Sequence, residues 1–272
     1  MENFIQDEMK IISLNVAGWN WKVTNENWVS RFTRICEHIK NNHNPFIIAL
    51  QEVQLSGGKY LSILEKNFPD YHIVLPKAYN VNKQPRSVIS LLLINKALCE
   101  SYNVRTLTGL ENSLRYNFVH IDTTNDLCFR VLNTNVPHNC FGNAAEWYRN
   151  ERKALRTLFI NNIKELADTY RLESDLKLIV LGDFNSTPNS EFIKLLAYTH
   201  DRPMIDAVKE DDKYTTTWKN SSNTGQNRLD YILYSTGMLC DTGVRAKFTC
   251  IDENTIHQNL SDHALLVGGL IA

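Results

Sequence analysis

Several features that would classify a chain early are missing from this one. No apolar run approaches the ~20 residues that a helix needs to cross a bilayer, so no membrane-spanning helix is expected. None of the six cysteines, Cys36, Cys99, Cys128, Cys140, Cys240 and Cys250, forms a CxxC pair, and a chain of this length needs no staples. A disulfide framework or a structural zinc site is therefore disfavoured, and the cysteines read as buried free thiols. Neither sign of charge is in excess. Lys and Arg number 29 against 30 Asp and Glu, for a net charge of −1, so no global basic field advertises nucleic acid. That weakens a nucleic-acid reading without removing it, because a metal site concentrates carboxylates and its cation reverses the local sign. Low-complexity tracts, internal repeats and Gly/Pro/Ser-rich linkers are also missing. The opening MENFIQDEMK carries no signal-peptide apolar region, so a cytoplasmic location is the default expectation, the alternative being a mature domain trimmed of its leader.

What is present is the composition of a globule with a sizeable core, 43% hydrophobic and 22% charged. Residues 10–16, 46–50, 71–75, 88–94, 116–121, 127–133, 177–181, 215–218, 229–234, 244–249 and 264–271 read as strands. The continuous apolar runs among them suit strands covered on both faces. Apolar residues recur at helical spacing in 28–39 (Trp28, Phe32, Ile35, Cys36, Ile39) and in 143–170 (Leu155, Leu158, Phe159, Ile163, Leu166, Ala167, Tyr170). Shorter helices are expected at 59–67 and 190–198. Strands with helices arriving between them predict one domain over residues 1–272, with two packed sheets and helices outside.

Four short polar clusters sit at the edges of these apolar runs: Gln51-Glu52, Gly182-Asp183-Phe184-Asn185, Arg228-Leu229-Asp230-Tyr231 and Ser261-Asp262-His263. Each alone is an ordinary turn or solvated strand end. Together they describe a site at the carboxyl ends of strands, where layered α/β folds bind ligands. Asp183 and Asn185 point the same way in an extended segment, whereas adjacent Asp262 and His263 diverge. Asn15 ends the first strand and can join them. Carboxylates with an amide oxygen suit a hard cation such as Mg2+, and a neighbouring histidine suggests hydrolysis of a phosphate ester.

With Ser13-Leu14-Asn15-Val16, Leu50-Gln51-Glu52-Val53, Gly182–Pro188, Arg228-Leu229-Asp230-Tyr231-Ile232 and Ser261-Asp262-His263 in this order, the chain resembles the endonuclease/exonuclease/phosphatase superfamily. That resemblance implies a four-layer α/β/β/α sandwich with two mixed sheets, and Mg2+-dependent phosphoester cleavage with Mn2+ as a possible substitute. It implies that Glu52 binds the metal with Asn15 and Asp262 close by. It also implies that Asp183 activates water, Asn185 holds the phosphate, His263 contacts the scissile phosphate and Asp230 orients that imidazole. One position departs from the pattern: Asn135 stands where the family usually has His or Tyr, and an amide cannot shuttle a proton. Leaving-group protonation then falls to metal-bound water or to nearby His138.

The substrate is less legible. The segment Glu146–Arg152 resembles the post-loop helix of the exonuclease III branch, where Arg149 and Arg152, with Lys153 and Arg156, would face phosphates; a solvated helix face is an equal reading. Arg228 is a further candidate phosphate contact. Aromatics that line an abasic-sugar pocket are replaced by Thr217 and Asn227, which disfavours abasic-site repair. The expectation is a monomeric nuclease acting on DNA or RNA. The alternatives are a phosphatase or phosphodiesterase for a small or lipid-headgroup phosphoester (inositol phosphate or sphingomyelin type), and a catalytically weakened binding protein.

Overall fold

The computed structural model describes residues 8–18, 27–54, 59–80, 88–138, 145–172, 177–197, 204–207, 217–219, 226–235, 245–247, 251–252, 254–258 and 260–271. The first half of the chain runs β1 (Glu8–Asn15), α1 (Trp28–Asn42), β2 (Ile47–Gln54), α2 (Lys59–Asn67), β3 (Tyr71–Val74), β4 (Val88–Asn95), β5 (Cys99–Arg105), β6 (Tyr116–Thr123) and β7 (Cys128–Asn135). It continues with α3 (Glu146–Leu172), β8 (Lys177–Asp183), α4 (Glu191–Ala197), β9 (Ile205–Asp206), β10 (Trp218–Lys219), β11 (Gln226–Asn227), β12 (Asp230–Tyr234), β13 (Arg245–Lys247), β14 (Ile251–Asp252), α5 (Asn254–His257) and β15 (Leu265–Ile271).

Two mixed sheets result. One has the order β13-β15-β1-β2-β4-β3 with β14 also on β15; the other runs β5-β6-β7-β8-β12-β9. The β1/β2 and β7/β8 pairs are parallel, and the other pairs in these sheets are antiparallel. The unbroken apolar runs resolve into two faces because side chains alternate along a strand. Ile11, Ile47, Ala49, Leu92 and Ile94 of the first sheet meet Val131, Ile179, Leu181 and Ile232 of the second. Their neighbours Ile12, Leu14, Ile48, Leu50, Leu91 and Leu93 turn outward onto Phe32, Ile35 and Ile39 of α1 and Leu64 of α2. On the other side Leu132, Leu178, Val180, Tyr231 and Leu233 receive Phe159 and Ile163 of α3 and Ile193 and Leu196 of α4. Three apolar layers between four structural layers make the predicted α/β sandwich. Fully burying one such large side chain stabilises the fold by about 1.5–3 kcal/mol.

Polar groups also cross the sheet interface. Asn133 Nδ2 donates to the carbonyls of Leu50 and Leu91, and Gln51 Nε2 donates to Asn133 Oδ1 at 2.8 Å. These buried bonds register the two sheets against each other near the ends of β2 and β7. The expected strand at 215–218 is instead a two-residue ribbon, Trp218–Lys219 on Gln226–Asn227; 215 and 216 lie outside the described residues, as do Trp19, Trp21, Cys140, Cys240 and Cys250. Cys36 and Cys99 are buried and Cys128 half-buried, all as free thiols. No helix is long and apolar enough to cross a membrane among the described residues.

Candidate active site

The candidate residues are delivered to one end of both sheets by strand direction. Asn15 closes β1, Asn135 closes β7 and Asp183 closes β8, with Asn135 opposite Asp183 in the parallel ladder. β12 runs against β8, so its first residue, Asp230, lies opposite Asp183. His263 enters just before β15, which runs against β1. Glu52 sits where the β2/β4 register slips between Leu50 and Val53, with φ +56°. Ala17 (φ +50°) and Asn185 (φ +46°) share this uncommon left-handed backbone. The bulge aims Glu52 and lets Gly18 lie against it: a Cβ on Gly18 would stand 2.0 Å from the Glu52 carbonyl oxygen. Strained backbone gathered at one place is a mark of functional sites.

Asp183 is the hub. Its Oδ2 accepts from Asn15 Nδ2 and from Asn185 Nδ2, both at 3.0 Å, and its Oδ1 accepts from the Asn185 backbone N–H at 2.8 Å. Asp183, Asp230 and His263 offer ligand atoms that all lie within 4.8 Å of one another. His263 Nδ1 meets Asp230 Oδ2 at 2.8 Å, leaving Nε2 toward the site and 4.0 Å from Asp262 Oδ1. On the other side Asn135 Nδ2 donates to Glu52 Oε1 at 3.2 Å, while its Oδ1 accepts from Arg115 Nη1 at 3.0 Å. Ser261 explains its place in the motif: its hydroxyl donates to the Asn15 carbonyl and accepts from the His263 N–H.

Burial sets the electrostatics. Asp183 is 2% exposed and His263 5%. Desolvation, then the Asp230 carboxylate, push the Asp183 carboxyl up to about 7. Burial alone would depress the His263 imidazolium. Asp230, Asp183 and Asp262 more than reverse that and raise it to about 10. The site therefore holds protons tightly, the sign of negative charge in excess of its partners.

Other predicted residues are placed differently. Arg152 turns its guanidinium onto the Tyr148 hydroxyl at 2.8 Å, Arg149 and His138 are exposed, and Arg228 pairs with Asp206 while lying over the Tyr231 ring. Arg156 points inward, donating to the carbonyls of Pro137 and Asn185, so it clamps the Asp183–Asn185 segment. Tyr79 packs beside the core under α1 and α2. Three residues of the site have no sequence motif. Arg115 reaches Asn135, and the charges of Glu52 and Asp183 support its own against burial. Thr217 Oγ1 accepts from the N–H groups of Leu229 and Asp230. Arg31, 2% exposed, donates to the carbonyls of Val16, Ala17 and Leu260, tying the segment after Asn15 to the one before Ser261.

A sequence profile described as "Endonuclease/Exonuclease/phosphatase family" matches residues 12–263. The chain belongs to this family. A comparison with curated proteins gives no match, but solved structures share the fold. An endonuclease/exonuclease/phosphatase from Bacteroides vulgatus is 20% identical, with 97% of this chain and 98% of that one covered and a TM-score of 0.65. The human Nocturnin catalytic domain with bound sulfate is 19% identical, over 97% and 94%, with a TM-score of 0.65. D. rerio TDP2 complexed with single strand DNA product is 16% identical, over 98% and 100%, with a TM-score of 0.64.

Members of the endonuclease/exonuclease/phosphatase family hydrolyse phosphoester bonds and generally depend on a divalent metal ion. The donor set fits a hard cation. Glu52, Asp183, Asp230 and Asp262 supply carboxylate oxygens, and the one imidazole is committed through Nδ1 to Asp230. Asp230 Oδ1 is buried without a hydrogen bond among the described residues, and the raised Asp183 carboxyl marks charge that a cation would neutralise. Asn15 contributes less directly: its Oδ1 already accepts from the Ala17 N–H.

Proposed function

We propose that the chain is a Mg2+-dependent phosphodiesterase cleaving nucleic acid, with Mn2+ as a substitute. The observation that carries this reading is the arrangement around Asp183: a buried carboxylate fixed by two asparagines, with the Asp230–His263 pair on one side and Glu52, Asn135 and Arg115 on the other. Bound at Glu52 beside Asp183 and Asp262, the ion would stabilise charge developing on the phosphoryl oxygens. Asp183, fixed by Asn15 and Asn185, is placed to act as the general base that takes a proton from the attacking water. His263 is held by Asp230 as an imidazolium, so Nε2–H can donate to a phosphoryl oxygen. Asn185 Nδ2 donates to both Asp183 Oδ2 and the Val136 carbonyl, so both of its amide hydrogens are engaged and the side chain fixes the Asp183 carboxylate rather than the phosphate. Asn135 carries no transferable proton; held between Arg115 and Glu52, it positions the carboxylate while Arg115 supplies positive charge.

Support for nucleic acid comes from the start of α3. Trp147 is 69% exposed and sits edge-on to Tyr148, whose hydroxyl is bound by Arg152. An exposed aromatic beside cations is what base stacking and phosphate binding require. The net charge of −1 favours the second reading, a small phosphoester substrate. With Mg2+ present, we expect cleavage of single-stranded DNA or RNA oligonucleotides, compared in parallel with plasmid DNA and bis-p-nitrophenyl phosphate. His263→Ala and Asp183→Asn should lower turnover by about 10²–10⁴, and Asn135→Ala by about 10²-fold through a misplaced Glu52. Turnover of the small ester alone would move the assignment to the second reading, and no turnover of any substrate would defeat the enzymatic one.

A further inference from the structure

Away from the Asp183 cluster, three potential ligands converge from distant parts of the chain. His38 lies in the last turns of α1, His43 is the residue that caps it, and Asp252 ends β14. His38 Nε2 lies 2.8 Å and His43 Nε2 3.3 Å from the same oxygen, Asp252 Oδ2. The three ligand atoms lie within 4.8 Å of one another. The other carboxylate oxygen, Oδ1, accepts the Asn254 N–H at 2.9 Å, which turns Oδ2 toward the imidazoles. Asn42 Nδ2 donates to the His38 carbonyl at 2.7 Å, bracing the end of the helix that carries both rings. Side-chain exposures of 10%, 12% and 10% leave the cluster largely shielded yet still touched by solvent.

We propose that His38, His43 and Asp252 form a second metal site, built for a borderline transition ion of the Zn2+ type. Two imidazoles and one carboxylate are the ligand chemistry of Zn2+ and its neighbours, and are poorly suited to Mg2+. Tetrahedral ligands with bonds of ~2.0–2.1 Å lie about 3.3 Å apart. The His43–Asp252 separation already matches this, and the His38–Asp252 one needs a few tenths of an ångström. Three protein ligands would leave the fourth tetrahedral position to water or an anion. Lys10 of β1 adds positive charge near His43. An ion here would clip α1 to β14. Thr255 extends that clip, since its hydroxyl donates to the His263 carbonyl and accepts the Leu265 N–H.

The test is metal binding by the whole protein in excess Mg2+, which saturates oxygen-rich sites. Zn2+ titration by calorimetry should give one site, and Co2+ should give the intense visible band of a tetrahedral ion bound by imidazole nitrogen. Glu52→Gln should keep both signals. His38→Ala and Asp252→Asn should lose the band and weaken Zn2+ binding by more than the ~10–100-fold that outer-shell changes cost. His43→Gln, which keeps hydrogen-bonding capacity, should do the same with an unchanged circular dichroism spectrum. Absence of Zn2+ binding in the wild type, or equal binding by a folded His43→Gln variant, would overturn the assignment. So would loss of the Co2+ band in Glu52→Gln but not in His38→Ala.

Discussion

At the scale of single residues, the site is a problem in charge held away from water. Asp183 keeps its proton up to about pH 7 against an ordinary 3.8, and His263 up to about 10 against 6.5. Both groups bind protons more tightly folded than unfolded, so each favours the folded state while protonated. Their contribution is complete below 3.8 and 6.5 respectively and is lost as pH rises through 7 and 10. The protein in EDTA should therefore lose stability from this pair as pH rises across that window. Denaturant midpoints measured at several pH values for the wild type and Asp183→Asn isolate the lower half of the effect. The wild-type curve should fall relative to the variant as pH passes through 4–7; parallel curves would mean that Asp183 is not protonated in the folded chain. Asp252, whose carboxyl is held below its ordinary value by hydrogen bonds that outweigh its burial, acts at the acid end, outside this window.

At the scale of elements, the ladder between β7 and β8 is the tightest constraint. Gly182 has φ +127°, and a Cβ there would stand 1.9 Å from the Thr134 carbonyl oxygen, across from it in the parallel pair. Gly182→Ala would meet both the backbone strain, of order 1–3 kcal/mol, and a clash with a main-chain atom that cannot swing aside. We expect a fall in the denaturant midpoint corresponding to at least about 2 kcal/mol with an unchanged slope, and reduced turnover because Asp183 is the next residue. An unaltered midpoint would show that the two strands can part without cost. Elements of this kind were legible in sequence where burial writes itself into composition. β8 is apolar because both faces are covered, and α1 carries its apolar stripe toward the first sheet. β5, by contrast, is mostly exposed, and its Glu-Ser-Tyr-Asn run has no period to read. β9 and β14 are two residues long and exist only through their partners. The same division runs through the site: Glu52, Asp183, Asp230 and His263 stand out because turn-forming or charged residues end apolar runs, whereas Arg115, Thr217 and Arg31 act through contacts that only tertiary packing creates.

At the scale of the whole molecule, the donors come from both sheets. Asn15, Glu52 and His263 belong to strands or strand ends of the first, and Asn135, Asp183 and Asp230 to the second. Asn15 Nδ2 to Asp183 Oδ2, Asn135 Nδ2 to Glu52 Oε1 and the His263 Nδ1–Asp230 Oδ2 pair are direct polar bonds across that gap at the site. Behind them lie the buried bonds of Asn133 to Gln51 and Leu50 and then the apolar layer, while repulsion of Glu52 on the first sheet by Asp183 and Asp230 on the second works to part the sheets. A divalent ion held between the two sheets would replace that repulsion with attraction and stabilise the folded state as a whole, since the unfolded chain scatters the donors. Binding at a hundredfold excess over Kd adds about 2.7 kcal/mol. Mg2+ should therefore raise the unfolding midpoint of the wild type in a concentration-dependent way, and the rise should grow with pH between 5 and 8 as the ion displaces the proton that Asp183 holds. Glu52→Gln should lose most of the rise. His43→Gln, which lies outside these donors and on ligands that Mg2+ disfavours, should keep all of it. A wild-type midpoint that stays flat at saturating Mg2+ would show that the carboxylates of the two sheets do not share an ion.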